Sequence, residues 1–123
     1  LMRERFGDNL QVSLRTGELS PDTAIVPLTM QMLFENAIKH NVISAQKPLH
    51  IEVFAEQGNL IVRNNLQRKN QTMPSTGVGL ENIQTRYRIL TGREVQIILS
   101  DRYFTVILPL VSLHASEHAH PAH

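Results

Sequence analysis

The residues Glu35-Asn36-Ala37-Ile38-Lys39-His40-Asn41 carry most of the information in this chain. They end a region, 27–41, in which apolar residues recur at the spacing of one helix face. The predicted apolar arc consists of Met30, Leu33, Phe34, Ala37 and Ile38. The opposite arc is mostly polar and contains Thr29, Gln31, Glu35, Asn36, Lys39 and His40. Because proline also suits a first helical turn, the sequence predicts an amphipathic helix that begins at Pro27.

A second motif, Ser75-Thr76-Gly77-Val78-Gly79-Leu80-Glu81-Asn82-Ile83, follows about forty residues later. It leads into a second predicted helix, from Gly79 to Leu90, whose periodicity indicates one buried stripe. That stripe is predicted to contain Leu80, Ile83, Tyr87 and Leu90. Gly92 is well suited to cap the end of this helix.

The rest of the chain predicts strands. Strict alternation or short apolar runs occur at 9–14, 49–55, 60–63, 95–99 and 103–108. In the first two regions the inward-facing residues are predicted to be Leu10, Val12, Leu14, Leu49, Ile51, Val53 and Ala55. Short turns at 57–59 and 100–102 join the last four strands into two hairpins. This element order predicts a two-layer α/β sandwich, a mixed and mainly antiparallel sheet covered by helices on one face.

Two polar regions are predicted to lie outside the sandwich. Residues 64–76 have almost no apolar content, and loops of that length in compact domains are often binding loops. Residues 114–123 are rich in His and Ala, so we expect a disordered tail after a domain at 1–113. The chain starts at Leu1 without an initiator Met, and we interpret it as a domain excised from a longer protein.

Composition excludes several classes of function. The chain has 123 residues, enough for one domain, and no cysteine, which rules out disulfides, a thiolate nucleophile and a zinc–thiolate site. A net charge of +1 gives no electrostatic case for nucleic acid. No apolar run is long enough to cross a bilayer, and no signal peptide is visible.

The two motifs suit a nucleotide that carries phosphates and a metal. Mg²⁺ prefers oxygen ligands, which the Asn36 amide supplies, and Lys39 lies about one helical turn further on as a cation for phosphate. Gly77 and Gly79 allow close approach of the backbone to phosphate oxygens. The N-terminus of the second helix also favours an anion.

With these residues in place, the chain resembles the GHKL ATPase superfamily. Residues 35–40 are similar to its N-box and residues 76–80 to its G2 box. The likeness is strongest to sensor histidine kinases that partner LytTR-type regulators. It includes Arg5-Phe6, Pro27, Gly79-Leu80-Glu81-Asn82-Ile83 with Arg86-Tyr87, and Val106-Ile107-Leu108-Pro109-Leu110. The resemblance covers roughly residues 3 to 110.

The resemblance implies a Bergerat-type fold that binds ATP with Mg²⁺. It implies transfer of the γ-phosphate to a His on a separate dimerisation and phosphoacceptor domain before residue 1. It further implies a homodimer, a downstream response regulator, and a cytoplasmic position beneath a membrane sensor. By this likeness Asn36 ligates Mg²⁺, and Lys39 and His40 face the phosphates. Thr76, Gly77, Val78, Gly79 and Leu80 line the phosphates beneath a lid.

Two positions depart from the family pattern. Where the family commonly has Asp-x-Gly-x-Gly, this chain has Asn64, Leu66 and Arg68, and Asn64 is expected to accept from the adenine amino group without a charge. The ATP-hydrolysing relatives place a water-activating Glu where this chain has Met32. Glu35 is the nearest carboxylate and is the candidate to act as a base or orient a water.

Two other functions remain open at this point. The altered adenine box is also compatible with a non-catalytic interaction module on the same fold, with weak or no nucleotide binding. A serine-kinase regulator of the anti-sigma type shares the fold as well. The Arg86-Tyr87 helix and the closing Leu108-Pro109-Leu110 favour the histidine-kinase branch.

Overall fold

The computed structural model of the chain describes residues 7–15, 23–25, 28–67 and 78–112. The described elements are a 3₁₀ turn (Gly7–Asn9), β1 (Leu10–Arg15), β2 (Thr23–Ala24), α1 (Thr29–His40), β3 (Leu49–Glu56), β4 (Asn59–Asn65), α2 (Val78–Thr91), β5 (Gln96–Leu99), β6 (Tyr103–Pro109) and β7 (Val111–Ser112). Within the described part, neither helix is long and apolar enough to cross a membrane.

Five of the strands form one mixed sheet in the order β1-β3-β4-β6-β5. β1 runs parallel to β3, and the other neighbours are antiparallel. The sheet is therefore mixed and mainly antiparallel, as predicted. The β3–β4 turn has positive φ at both Gln57 and Gly58, 51° and 80°. Tight hairpin turns of this kind match the twist of the strands that they join. A small second sheet, β2 with β7, was not predicted because each of its strands has two residues.

One face of the large sheet is buried under the two helices. Alternate residues of β3 are buried, namely Leu49, Ile51, Val53 and Ala55. Of these, Leu49, Ile51 and Val53 join a single apolar cluster with Leu33 and Ala37 of α1 and with Leu80, Ile83 and Tyr87 of α2. The opposite face carries polar and half-buried side chains, including an ion pair of 2.7 Å between Arg63 and Glu52. The predicted two-layer sandwich is therefore confirmed.

The predicted helix faces are confirmed with two exceptions. Met30, Phe34 and Ile38 pack against the core as predicted. Thr29 is 1% exposed although it was placed on the polar arc, because it lies in the first turn of α1 against the core. Leu90 was predicted to be buried and is 65% exposed, while Thr91 is half-buried. Both lie on the margins of the buried arc, and a helical period alone does not specify which margin faces the sheet.

Other sequence predictions need correction at their ends. Leu14, predicted to face inward, is 64% exposed near the end of the edge strand β1. β4 continues to Asn65, so the loop predicted from residue 64 begins later, since Asn64 pairs with both Ile51 and Phe104. Pro27, residues 68–76 of the predicted polar loop, and the predicted tail lie outside the described residues.

Candidate functional site

The C-terminal half of α1 and the end of β4 meet around a small cavity. Its wall consists of Asn36, Ala37, His40, Asn41, Asn64, Leu66 and Phe104. The cavity has a volume of about 10 Å³, which is room for about one water molecule. Two residues singled out from the sequence, Asn36 and Asn64, therefore lie at one place although they are far apart in the chain.

Asn36 presents a free amide to this cavity. Its side chain is half-buried and makes no hydrogen bond to another described residue. An amide oxygen without a protein partner is a suitable ligand for a hard cation such as Mg²⁺. Among the residues that the structure describes, no cluster of three or more His, Cys, Asp or Glu side chains could hold a metal ion. Asn36 fits a metal that also takes ligands from a bound phosphate.

Asn64 presents an acceptor to the same cavity. It is only 6% exposed, and its Nδ2 donates a hydrogen bond of 2.9 Å to the carbonyl oxygen of Asn65. That bond fixes which way the amide faces, and Oδ1 accepts no hydrogen bond from any other described residue. A buried polar atom without a partner costs about 1–3 kcal/mol, so its presence points to a ligand or a water.

The other polar residues of α1 lie at different depths. His40 is half-buried and lines the cavity. Lys39 is exposed and makes no ion pair within the described part of the chain. Glu35 is exposed as well and accepts a hydrogen bond of 3.2 Å from Gln31. Neither Lys39 nor Glu35 belongs to the cavity wall, so in this conformation both face solvent.

The second motif is described only in part. Thr76, Gly77 and Arg68 lie outside the described residues, and Val78 begins α2. Gly79 is exposed in the first turn of α2, and a Cβ built on it would meet no atom within 4 Å. The folded chain itself therefore does not require a glycine here. Leu80, predicted to line the phosphates, is 2% exposed and belongs to the core.

Sequence analysis gave no role to Asn41, Gln67 or Phe104. The Asn41 side chain is buried and accepts a hydrogen bond of 2.7 Å from the backbone N–H of Gln67. These residues are 26 positions apart, and nothing in the sequence pairs them. A terminal Asn on an amphipathic helix indicates at most a local cap.

Comparison with solved structures identifies the fold. The chain is similar to the cytoplasmic segment of histidine kinase QseC, with 19% identity and a TM-score of 0.60 over 90% of this chain and 66% of that one. It is similar to the nucleotide-free catalytic domain of histidine kinase ThkA, with 13% identity and a TM-score of 0.57 over 88% of this chain and 83% of that domain.

A third similar structure is the blue-light activated histidine kinase EL346 of Erythrobacter litoralis. The identity is 14% and the TM-score 0.52, and the likeness covers 88% of this chain but 38% of that one. No protein-family model matches the sequence, and a comparison with curated proteins gives no significant match. The chain thus has the fold of a histidine-kinase catalytic domain.

Proposed function

We propose that this chain is the ATP-binding catalytic domain of a sensor histidine kinase, of the subclass that partners LytTR-type regulators. One observation carries the proposal. The amides of Asn36 and Asn64, which the sequence marks for the metal and the base, line one cavity and keep their oxygens without a partner among the described residues. The similarity to histidine-kinase structures supports it through the fold.

Each residue has a distinct task in this proposal. Asn36 ligates Mg²⁺, which when bound neutralises phosphate charge. Lys39 and His40, at the end of α1, attract the phosphates, and Gly79 opens the N-terminus of α2 to them. Asn64 accepts a hydrogen bond from the adenine amino group. Thr76, Gly77 and Val78 remain predicted phosphate neighbours, and Glu35 remains the candidate base.

The γ-phosphate is transferred to a His outside this chain. No histidine here lies in a suitable acceptor motif, so we place the acceptor on a dimerisation domain of the same, longer protein. That protein would be a homodimer that passes the phosphate to a response regulator on the cytoplasmic side of a membrane. We expect the isolated chain to bind nucleotide and to show little turnover.

A base needs more room than the described cavity offers. The cavity offers about 10 Å³. The half-buried side chains of His40 and Leu66, which line it, must therefore move outward when a purine binds. The narrow cavity also favours the second candidate function, a non-catalytic module that docks without nucleotide. The two functions differ in a single measurable property, the binding of Mg-ATP.

The thermal midpoint of unfolding, measured with and without millimolar Mg-ATP or a non-hydrolysable analogue, tests this proposal. A ligand at about 100 times its dissociation constant stabilises the folded state by roughly 2.7 kcal/mol. We expect a rise of several degrees that needs Mg²⁺. An unchanged midpoint at saturating ligand would instead support the non-catalytic module.

The Gly79→Ala variant distinguishes an effect on the stability of the free protein from an effect on its affinity for Mg-ATP. Because a Cβ meets nothing there and alanine is the better helix former, we expect the free protein to gain up to about 1 kcal/mol of stability. The added methyl group lies where phosphates approach the backbone, so Mg-ATP affinity should fall several-fold. Isothermal titration calorimetry measures the affinity, and Thr85→Ala, at an exposed position of α2 outside the motif, is the control. Unchanged affinity in Gly79→Ala would place the phosphates elsewhere.

A further inference from the structure

The chain that follows Asn64 is held on two sides. On one side, the backbone N–H of Leu66 donates a hydrogen bond of 2.9 Å to the carbonyl oxygen of Arg102. On the other, the backbone of Gln67 is bonded twice to the residues after α1. Its N–H donates to Asn41 Oδ1 at 2.7 Å, and its carbonyl oxygen accepts from the N–H of Val42, also at 2.7 Å.

The side chains of Asn41 and Gln67 complete this connection, which we call the Asn41–Gln67 clamp. Nδ2 of Asn41 donates to the carbonyl oxygen of Ala37 at 2.8 Å, so the same amide caps α1 and holds Gln67. Nε2 of Gln67 donates to the carbonyl oxygens of Val42 and Lys47, each at 2.9 Å. Asn41 is 3% exposed, so water does not compete for its bonds.

The clamp sets the position of Asn64, the residue proposed to contact the base. Gln67 lies three residues after Asn64, and the backbone bonds of Leu66 and Gln67 hold the end of β4 between Arg102 and the residues that follow α1. The Asn64 amide, which lines the cavity, is itself bonded through Nδ2 to Asn65, so Oδ1 is the side-chain atom left to accept a hydrogen bond from a ligand. The clamp thus holds the chain at Gln67, between the two positions, Leu66 and Arg68, where the family that the chain resembles commonly has glycine.

On this basis, and resting on the proposed function, we propose that Asn41 and Gln67 are positioning residues that make the site selective for a base bearing an exocyclic amino group. Adenine presents an amino donor to Asn64 Oδ1. Hypoxanthine presents an oxo acceptor at the same ring position, which leaves two acceptors facing each other. Discrimination of this kind requires that the acceptor is held in place, because a mobile side chain could turn away.

Gln67→Met is the most informative variant. It keeps the length of the side chain and removes both Nε2 bonds, while the two backbone bonds of Gln67 stay possible. Because Gln67 is only half-buried, we expect the variant to fold. Gln46→Met is the matched control. Gln46 lies exposed in the connection between α1 and β3, to which the Gln67 side chain bonds, and itself bonds to no other described residue. Asn41→Ala is a second, more disruptive variant.

The experiment measures dissociation constants of Mg-ATP and Mg-ITP for each protein, with the thermal midpoint of the free protein alongside. We expect the parent and Gln46→Met to prefer ATP by about tenfold or more, the order of effect of one mismatched hydrogen bond. In Gln67→Met the preference should fall to about threefold or less, mainly through weaker ATP binding, as the loss of a positioned acceptor requires. Affinity for ITP should change little.

The ratio of the two affinities separates positioning from simple structural support. A loss of local stability alone would weaken both nucleotides equally and leave the preference for ATP intact, and that result would overturn the inference. Binding of both nucleotides by the parent with equal affinity would overturn it as well. If the parent binds neither nucleotide, the proposed function itself fails, and the inference fails with it.

Discussion

Replacing Asn36 with Ala is expected to remove the magnesium-dependent part of nucleotide binding. The amide lines the cavity and has no partner among the described residues, so its loss leaves the free protein almost unchanged. Interactions of neutral groups with charged ones contribute about 1.5–3 kcal/mol, which corresponds to a tenfold to roughly hundredfold weaker affinity for Mg-ATP. Calorimetric titration of the parent and the variant, each with Mg²⁺ and with EDTA, measures this effect.

The four titrations form a cycle that isolates the metal. In the parent, removal of Mg²⁺ should weaken nucleotide binding strongly. In Asn36→Ala the same removal should have little further effect, because the protein ligand is already absent. Gln31→Ala, at an exposed position of the same helix, should behave like the parent. Equal affinity of Asn36→Ala and the parent in Mg²⁺ would show that Asn36 is not the ligand.

Ile83→Ala should cause a large loss of stability. Ile83 is 2% exposed and belongs to the apolar cluster between the helices and the sheet. Truncation of a buried Ile to Ala costs about 2–5 kcal/mol, through lost transfer energy and the cavity that remains. Urea denaturation should show a lower midpoint with an unchanged slope, since the surface exposed on unfolding stays similar.

Leu90→Ala is the matched control for Ile83→Ala. Both residues fit the apolar stripe predicted from the sequence, but Leu90 is 65% exposed in the structure. Its truncation should change the free energy of unfolding by no more than about 0.5 kcal/mol, as is usual for surface positions. Similar losses in the two variants would mean that Leu90 is buried in solution, as the stripe predicted from the sequence requires.

Most of the fold followed from local patterns. Alternation over 49–55 predicted β3, and the buried faces of Leu49, Ile51, Val53 and Ala55 confirm it. The hairpin turns and the Gly92 cap of α2 were also predictable, because tight turns and a glycine that ends a helix, here with a φ of 72°, obey strong local preferences. The edges of the buried helix faces were predicted less accurately, since a helical period is ambiguous at the margins of the buried arc.

The part of the candidate site that lies on α1 was predictable from the sequence, and the part at the end of β4 was not. Asn36 stands inside a polar helix arc, so its chemistry was visible from its neighbours. Asn64 was singled out from the sequence but assigned to a loop, because strand pairing to Ile51 and Phe104 is a non-local property. The bond between Asn41 and Gln67 spans 26 positions, and no local preference predicts it.

The sequence by itself determined the element order, the class of fold and the residue types that suit a metal and phosphates, because periodicity and glycine placement act over a few neighbouring residues. Only the tertiary structure decided that Asn36 and Asn64 share one cavity, and that Asn41 and Gln67 hold its wall. The physical reason is that strand pairing and helix packing bring together residues that are distant in the chain. The hydrogen bonds between them form only in that assembled state.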